Sequence, residues 1–143
     1  MCYMTSPLSI RFDTSLLERL RRRAAASPGA TASGLAQRLI DEGLRMADHP
    51  GIVYKDGPSG RRAAIAFGPD VWEIVKVLRE IDERGPAAIS AAAEVLALPE
   101  TKVRAALHYY SAYPEEIDAE VAQADEESEA AELAWRTEQR LLA

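Results

Sequence analysis

The chain is poor in the residues that build covalent or metal-based scaffolds. Its 143 residues include one cysteine, Cys2, and two histidines, His49 and His108. A single thiol excludes an internal disulfide, and two histidines so far apart in sequence match no zinc-binding spacing. Aromatic residues make up 6% of the chain against 48% hydrophobic residues overall. The apolar content is therefore aliphatic and small, the composition of one or two helix-rich modules rather than one large catalytic core. No apolar run approaches the roughly 18 residues that a membrane-spanning helix needs. The start, Met1 to Pro7, lacks the charged and apolar blocks of a signal peptide, so the expectation is a soluble, cytoplasmic protein with no membrane partner. No Ser-His-Asp set and no metal-ligand cluster stand out, which leaves an enzyme, a cofactor and a metal all unexpected.

Charge is plentiful but unevenly placed. The formal total is −6. Residues 1–50 hold seven Arg against five acids, residues 51–110 balance eight against eight, and residues 111–143 hold two Arg against ten acids. The segments carry +2, 0 and −8. Phosphate neutralisation needs clustered cations, so only the first segment suits nucleic acid, and the last suits a different partner.

Leu8-Ser9-Ile10-Arg11-Phe12 alternates apolar and polar, which predicts a short strand with Leu8, Ile10 and Phe12 on one face. Asp13, Thr14 and Ser15 offer helix caps, Ser15 with Glu18 matching a capping box, and Leu16, Leu17, Leu20, Ala24 and Ala25 predict a helix over 14–26. Ser27-Pro28-Gly29-Ala30 is turn chemistry, Thr31 can cap a second helix, and Leu35, Leu39, Ile40 and Leu44 give it an apolar stripe. One strand has no ladder partner and about 45 residues are near the lower limit for an independent core, so the economical solution is a homodimer through paired N-terminal strands.

This order of alternating strand, capped helix, turn and capped helix resembles the ribbon-helix-helix family from Leu8 to about Met46. The resemblance implies a two-stranded ribbon in the major groove of double-stranded operator DNA. It places Ser9 and Arg11 on the bases, with Pro7 beside them, and a backbone phosphate at the amides of Ala32 and Ser33 with Thr31 as cap. Arg21, Arg22 and Arg23 spread over about 200° of helix and form no single basic face.

Asp48-His49-Pro50-Gly51 reads as a hinge. Ile52-Val53-Tyr54 and Ala63-Ala64-Ile65-Ala66-Phe67 flank a glycine-containing loop with Arg61 and Arg62, the outline of a small hairpin. The loop lacks the Lys-Ser/Thr ending of a phosphate-binding loop, and its arginines suit either a loop contact with DNA or a partner, or plain surface charge. Pro69-Asp70 opens a helix carrying Val71, Ile74, Val75, Leu78 and Ile81. Further helices are predicted over 87–98 and 102–113, a helix-turn-helix outline whose exposed face is not basic enough to favour reading DNA directly. Pro114, Glu115 and Glu116 suit the start of a long acidic helix reaching about Leu142. Its positions Ile117, Val121, Ala124, Ser128, Ala131, Trp135, Glu138 and Leu142 advance by alternating fours and threes, one seam facing a partner or the protein's own body. Trp135 is its natural anchor. The predicted fold class is mainly α with short β elements, divided as a ribbon-helix-helix module (1–47), a hairpin with a helix-turn-helix-like module (48–113) and the acidic helix (114–143).

Residues 49–120 resemble an uncharacterised family of antitoxins that accompany PIN-type nuclease toxins. The resemblance is carried by His49-Pro50-Gly51-Ile52-Val53, Asp56-Gly57-Pro58-Ser59-Gly60-Arg61-Arg62-Ala63, Asp70-Val71-Trp72-Glu73, Val103-Arg104-Ala105-Ala106-Leu107-His108-Tyr109-Tyr110 and Tyr113-Pro114-Glu115-Glu116-Ile117-Asp118. It implies a VapB-like antitoxin of a type II toxin–antitoxin system that represses its own operon and silences a PIN-type ribonuclease toxin. Ile117, Val121, Ala124, Ala131 and Trp135 are the partner-binding positions of that reading. Two silencing mechanisms are open: the helix occludes the toxin's active-site cleft sterically, or Asp118, Glu120, Asp125, Glu126, Glu127, Glu129 and Glu132 occupy basic RNA-binding surface on the toxin, which fits the −8 segment better. Two alternatives stay open: a stand-alone repressor sensing a ligand between the Trp72 and Tyr109/Tyr110 helices, and an interaction adaptor with no DNA role.

Overall fold

Caps set the first two elements. In the computed structural model, which describes residues 4–143, Asp13 precedes α1 (Thr14–Ala25) and its Oδ1 accepts the Leu16 amide proton at 2.9 Å. Thr31 does the same for α2 (Ala32–Asp48), its Oγ1 accepting from the Gly34 amide at 3.0 Å. Each such cap satisfies an orphan donor of the first turn and stabilises its helix by about 1 kcal/mol. The cap of α1 is Asp13 rather than the Ser15 capping box. Cys2 lies outside the described residues.

The predicted strand over 8–12 is not there. Residues 4–13 carry no strand, α1 is the first element, and the strand-first ribbon-helix-helix module expected from the sequence is corrected accordingly. The cause is hydrogen bonding. A strand exists only where its N–H and C=O groups meet a second strand, and the two described strands pair only with each other.

Those two strands form a hairpin, β1 (Ile52–Gly57) and β2 (Gly60–Ile65), in register from Ile52 opposite Ile65 to Gly57 opposite Gly60. The ladder runs longer, and the loop is shorter, than the apolar runs alone suggest. Pro58 and Ser59 are the only residues between the strands, and Gly60 takes φ +110°, open only to glycine without strain. Polar residues fill the added rungs, Asp56 opposite Arg61 and Lys55 opposite Arg62. Phe67, expected in the second strand, lies beyond its end on a turn closed by Gly68 N–H to Ile65 O, fully exposed with φ +58°.

Four helices follow: α3 (Val71–Glu80), α4 (Pro86–Leu96), α5 (Glu100–Ala112) and α6 (Pro114–Leu142). Glu73 accepts the Asp70 amide proton at 2.8 Å, fixing the start of α3. Proline occupies the first turn of α4 and of α6, where its missing N–H leaves nothing unsatisfied. The left-handed Ala97 ends α4, and Leu98 N–H returns to Ala93 O at 2.9 Å, turning the chain into α5.

The chain divides into two units, Met1–Arg45 and Met46–Ala143. In the second, α3 packs on α4, α5 and α6 while α5 covers the hairpin. Ile65, Val71, Ile74, Val103, Ala106, Tyr109 and Ile117 form the dry centre. In the first unit only Ala24 and Leu35 among the described apolar residues are buried, and Leu8, Ile10, Leu16, Leu39, Ile40 and Leu44 are exposed. Among the described residues no helix is long and apolar enough to cross a membrane.

Candidate interaction surfaces

The long helix α6 is held by the hairpin and α3 along its first half. Ile117 and Val121 are buried in the core of the second unit. Around them runs a row of charge pairs. Arg62 Nη1 of β2 stands 3.2 Å from Glu120 Oε1, and its Nη2 donates to Gln123 at 2.9 Å. Lys76 and Arg79 of α3 pair with Asp125 and Asp118. Ser59, at the hairpin tip, donates to Glu127 at 2.9 Å. Tyr54 and Tyr109 hydroxyls meet at 2.9 Å, and Tyr109 donates to Glu116 at 2.7 Å, so Tyr54 is the donor to Tyr109.

These pairs titrate as their surroundings dictate. The Arg79 hydrogen bond, helped by Tyr110, holds the Asp118 carboxyl below its ordinary range. Burial pushes the Glu120 carboxyl up, and Arg62 only partly offsets it. The Asp125 hydrogen bond raises the Lys76 ammonium. Asp118 and Lys76 are exposed ion-pair partners, whereas Glu120 and Arg62 form a largely desolvated pair.

This geometry revises four readings made from the sequence. Ile117 and Val121 face the protein's own core and are not offered to a partner. Asp118, Glu120, Asp125 and Glu127 are engaged within the unit, so the acids left at the outer end of α6 are Glu126, Glu129, Glu132 and Glu138, with Glu132 paired to Arg136 on the same helix. Arg61 pairs with Asp56 across the hairpin and Arg62 is buried, so neither is a free loop cation. The space between the Trp72 and Tyr109/Tyr110 helices is packed, with Tyr109 fully buried and its hydroxyl engaged.

Beyond Ala124 the same seam continues with nothing over it. Ala124 is half-buried, whereas Ser128, Ala131 and Leu142 are exposed and Trp135 is 60% exposed. A helix turns 100° per residue, so Trp135 lies on the line of Ile117, with Glu132 on one flank and Glu138 on the other. The outer half of α6 therefore presents an apolar line between acidic edges.

The positions expected to meet DNA are exposed or half-exposed. Ser9 and Arg11 stand on the segment before α1, which is neither helix nor strand, and Ala32 and Ser33 open α2 behind the Thr31 cap. The first unit also has two separate apolar grooves. One, of about 640 Å³, is lined by Leu8, Ile10, Phe12, Leu17 and Ile40 among others. The second, of about 530 Å³, has Leu16, Leu20 and Leu39 with Arg19, Arg22 and Arg23.

The two histidines, distant in sequence, meet in space. Buried His49, against the rings of Tyr109 and Tyr113, and exposed His108 place their Nδ1 atoms 3.1 Å apart. One Nδ1 donates and the other accepts, which pins the chain before β1 onto α5. Among the described residues no group of three or more His, Cys, Asp or Glu could hold a metal ion. Sequence reasoning missed this contact because nothing in the local pattern links positions 59 residues apart.

No family model, no curated protein and no solved structure matches the chain.

Proposed function

We propose that the chain is the antitoxin of a toxin–antitoxin pair, a binding protein rather than an enzyme. In this reading the first unit forms a homodimer through the uncovered apolar groove around Leu8, Ile10 and Ile40 and holds operator DNA. The outer half of α6 captures and silences a basic, PIN-type ribonuclease toxin. The observation that carries the reading is the seam of α6, whose core-packing line runs on uncovered as Ala131, Trp135 and Leu142 between acidic edges. An amphipathic helix of this kind lays its apolar line into a partner's groove, with a buried tryptophan dominating the contact.

Charge supports the division of labour. The first unit holds seven Arg against four acids, a net of +3, and the second holds ten basic residues against nineteen acids, a net of −9. Only the former suits phosphate, with Arg11 and the first turn of α2 as its contacts. The resemblance of residues 49–120 to antitoxins points the same way.

The test is co-purification with the product of the adjacent open reading frame. Trp135→Ala is expected to weaken capture at least tenfold and to leave the thermal unfolding of the antitoxin unchanged, since Trp135 supports nothing in its own core. Undiminished capture by Trp135→Ala, and by a chain lacking residues 125–143, would sink the helix mechanism.

A further inference from the structure

The apolar groove edged by arginines on the first unit has no role in the reading above. Its floor is Leu16 and Leu20 of α1 with Leu39 of α2, and Arg19, Arg22 and Arg23 stand around it. It shares only Leu20 with the groove that contains Leu8 and Ile10. Leu16 and Leu39 are 42% and 45% exposed, so water covers an apolar surface between guanidinium groups. No ion pair among the described residues involves Arg19, Arg22 or Arg23.

We infer that this groove receives the outer half of α6 from a second copy of the chain. The occupant is argued from complementarity in both shape and sign. The groove offers an apolar floor between cations, and α6 offers Ala131, Trp135 and Leu142 between Glu132 and Glu138. Residues 125–143 hold six acids against two Arg, a net of −4, facing three guanidinium groups. Two α6 ends laid against each other would instead bring like charges together. The groove volume of about 530 Å³ lies within the range that takes side chains as large as an indole.

Exchanged reciprocally, two such contacts close a two-fold pair, so assembly stops at two copies rather than running on as a filament. The consequence is a stored state. The end of α6 that the function above gives to a partner protein is covered by a second copy when that partner is absent, and release of the arm precedes capture. This deepens the antitoxin reading, but the contact is a property of the chain alone and can be tested without any partner.

The experiment mixes ¹⁵N-labelled and unlabelled full-length chains carrying Arg22→Lys and Arg23→Lys, which keep the charge and supply amines. Carbodiimide then joins amines to carboxylates in direct contact. Mixed-isotope links from positions 22 and 23 to Glu132 or Glu138 are the expected result, lost at high salt and reduced at least tenfold by Trp135→Ala. The helical signal of the Trp135→Ala chain, and its melting curve at a concentration dilute enough to separate the copies, should match the parent, because the residue supports no packing in its own unit. Links confined to one isotope would place the arm on its own chain and overturn the proposal. So would their absence at low salt, or links that Trp135→Ala leaves unchanged.

Discussion

The two units contrast in how far each completes its own hydrophobic pattern. The second unit buries its helical stripes against one another, and its central residues Val71, Ile74, Val103, Ala106 and Ile117 have no exposure. The first has helices of comparable amphipathic pattern but among its described apolar residues buries only Ala24 and Leu35, leaving Leu16, Leu39, Ile40 and Leu44 in water. An apolar stripe records that a residue is covered in the working protein. It does not say by what. In the second unit the cover is the same chain, and in the first we propose that it comes from a second copy.

Core truncation breaks this contrast most directly. Ile74→Ala removes a fully buried side chain of α3 and should cost about 4 kcal/mol, the upper part of the range for such cavities. Leu39→Ala, at 45% exposure, should move the unfolding of the monomer by no more than about 0.5 kcal/mol. Urea unfolding at micromolar concentration measures both. A large loss from Leu39→Ala at that dilution would mean that the first unit is already covered, and the contrast would fail. At high protein concentration the Leu39→Ala deficit should grow, because what it removes is contact between chains.

The polar attachment of α6 sharpens the comparison from inside the second unit. Arg62→Met leaves the Glu120 carboxylate, 14% exposed, without its countercharge and should cost about 3 kcal/mol, the lower end for breaking a buried pair. Replacing both partners together, Arg62→Met with Glu120→Leu, should recover most of that loss, because the penalty belongs to the stranded charge more than to the missing attraction. A double variant no more stable than Arg62→Met would show that Arg62 holds the hairpin against α6 in a way that packing cannot replace.

The legibility of the sequence follows the same division. Helices α1, α3 and α6 were readable because period, caps and proline positions agree locally: Asp13 before Leu16 and Leu17, Asp70 before Val71 and Ile74, and Pro114 before Glu115. The hairpin was readable in kind but not in length, since Lys55, Asp56 and Arg61 carry no apolar alternation and join the ladder only because Gly57 and Gly60 allow the turn between them. The strand at 8–12 misled because period-2 alternation reports a face and not a hydrogen-bond partner. The candidate surfaces were half legible. The seam through Trp135 was visible as spacing, but nothing local showed that Ile117 and Val121 are spent on the core, or that Asp118, Glu120 and Asp125 are claimed by Arg79, Arg62 and Lys76. Pairings across 39 to 58 residues are properties of the packed fold.

The smallest expected effect separates two acids two residues apart on α6. Asp118 is held ionised by Arg79 and Tyr110, so its folded carboxyl titrates below the ordinary value of 3.8. A group depressed in this way stabilises the fold fully above its unfolded value, and that contribution disappears as the pH falls through the folded value. Glu120 has the opposite sign. Burial raises its carboxyl above the ordinary 4.5, so the folded protein holds that proton more tightly than the unfolded chain, and acidification into that range relieves a cost instead of adding one. Asp118→Asn should therefore be slightly less stable than the parent at neutral pH, with the difference closing as the pH drops below about 4 and shrinking with added salt, as screening of an exposed pair requires. Parallel urea titrations at low and high ionic strength measure it. A deficit that persists at low pH and in high salt would mean that Asp118 acts through packing with Tyr110 and not through its charge.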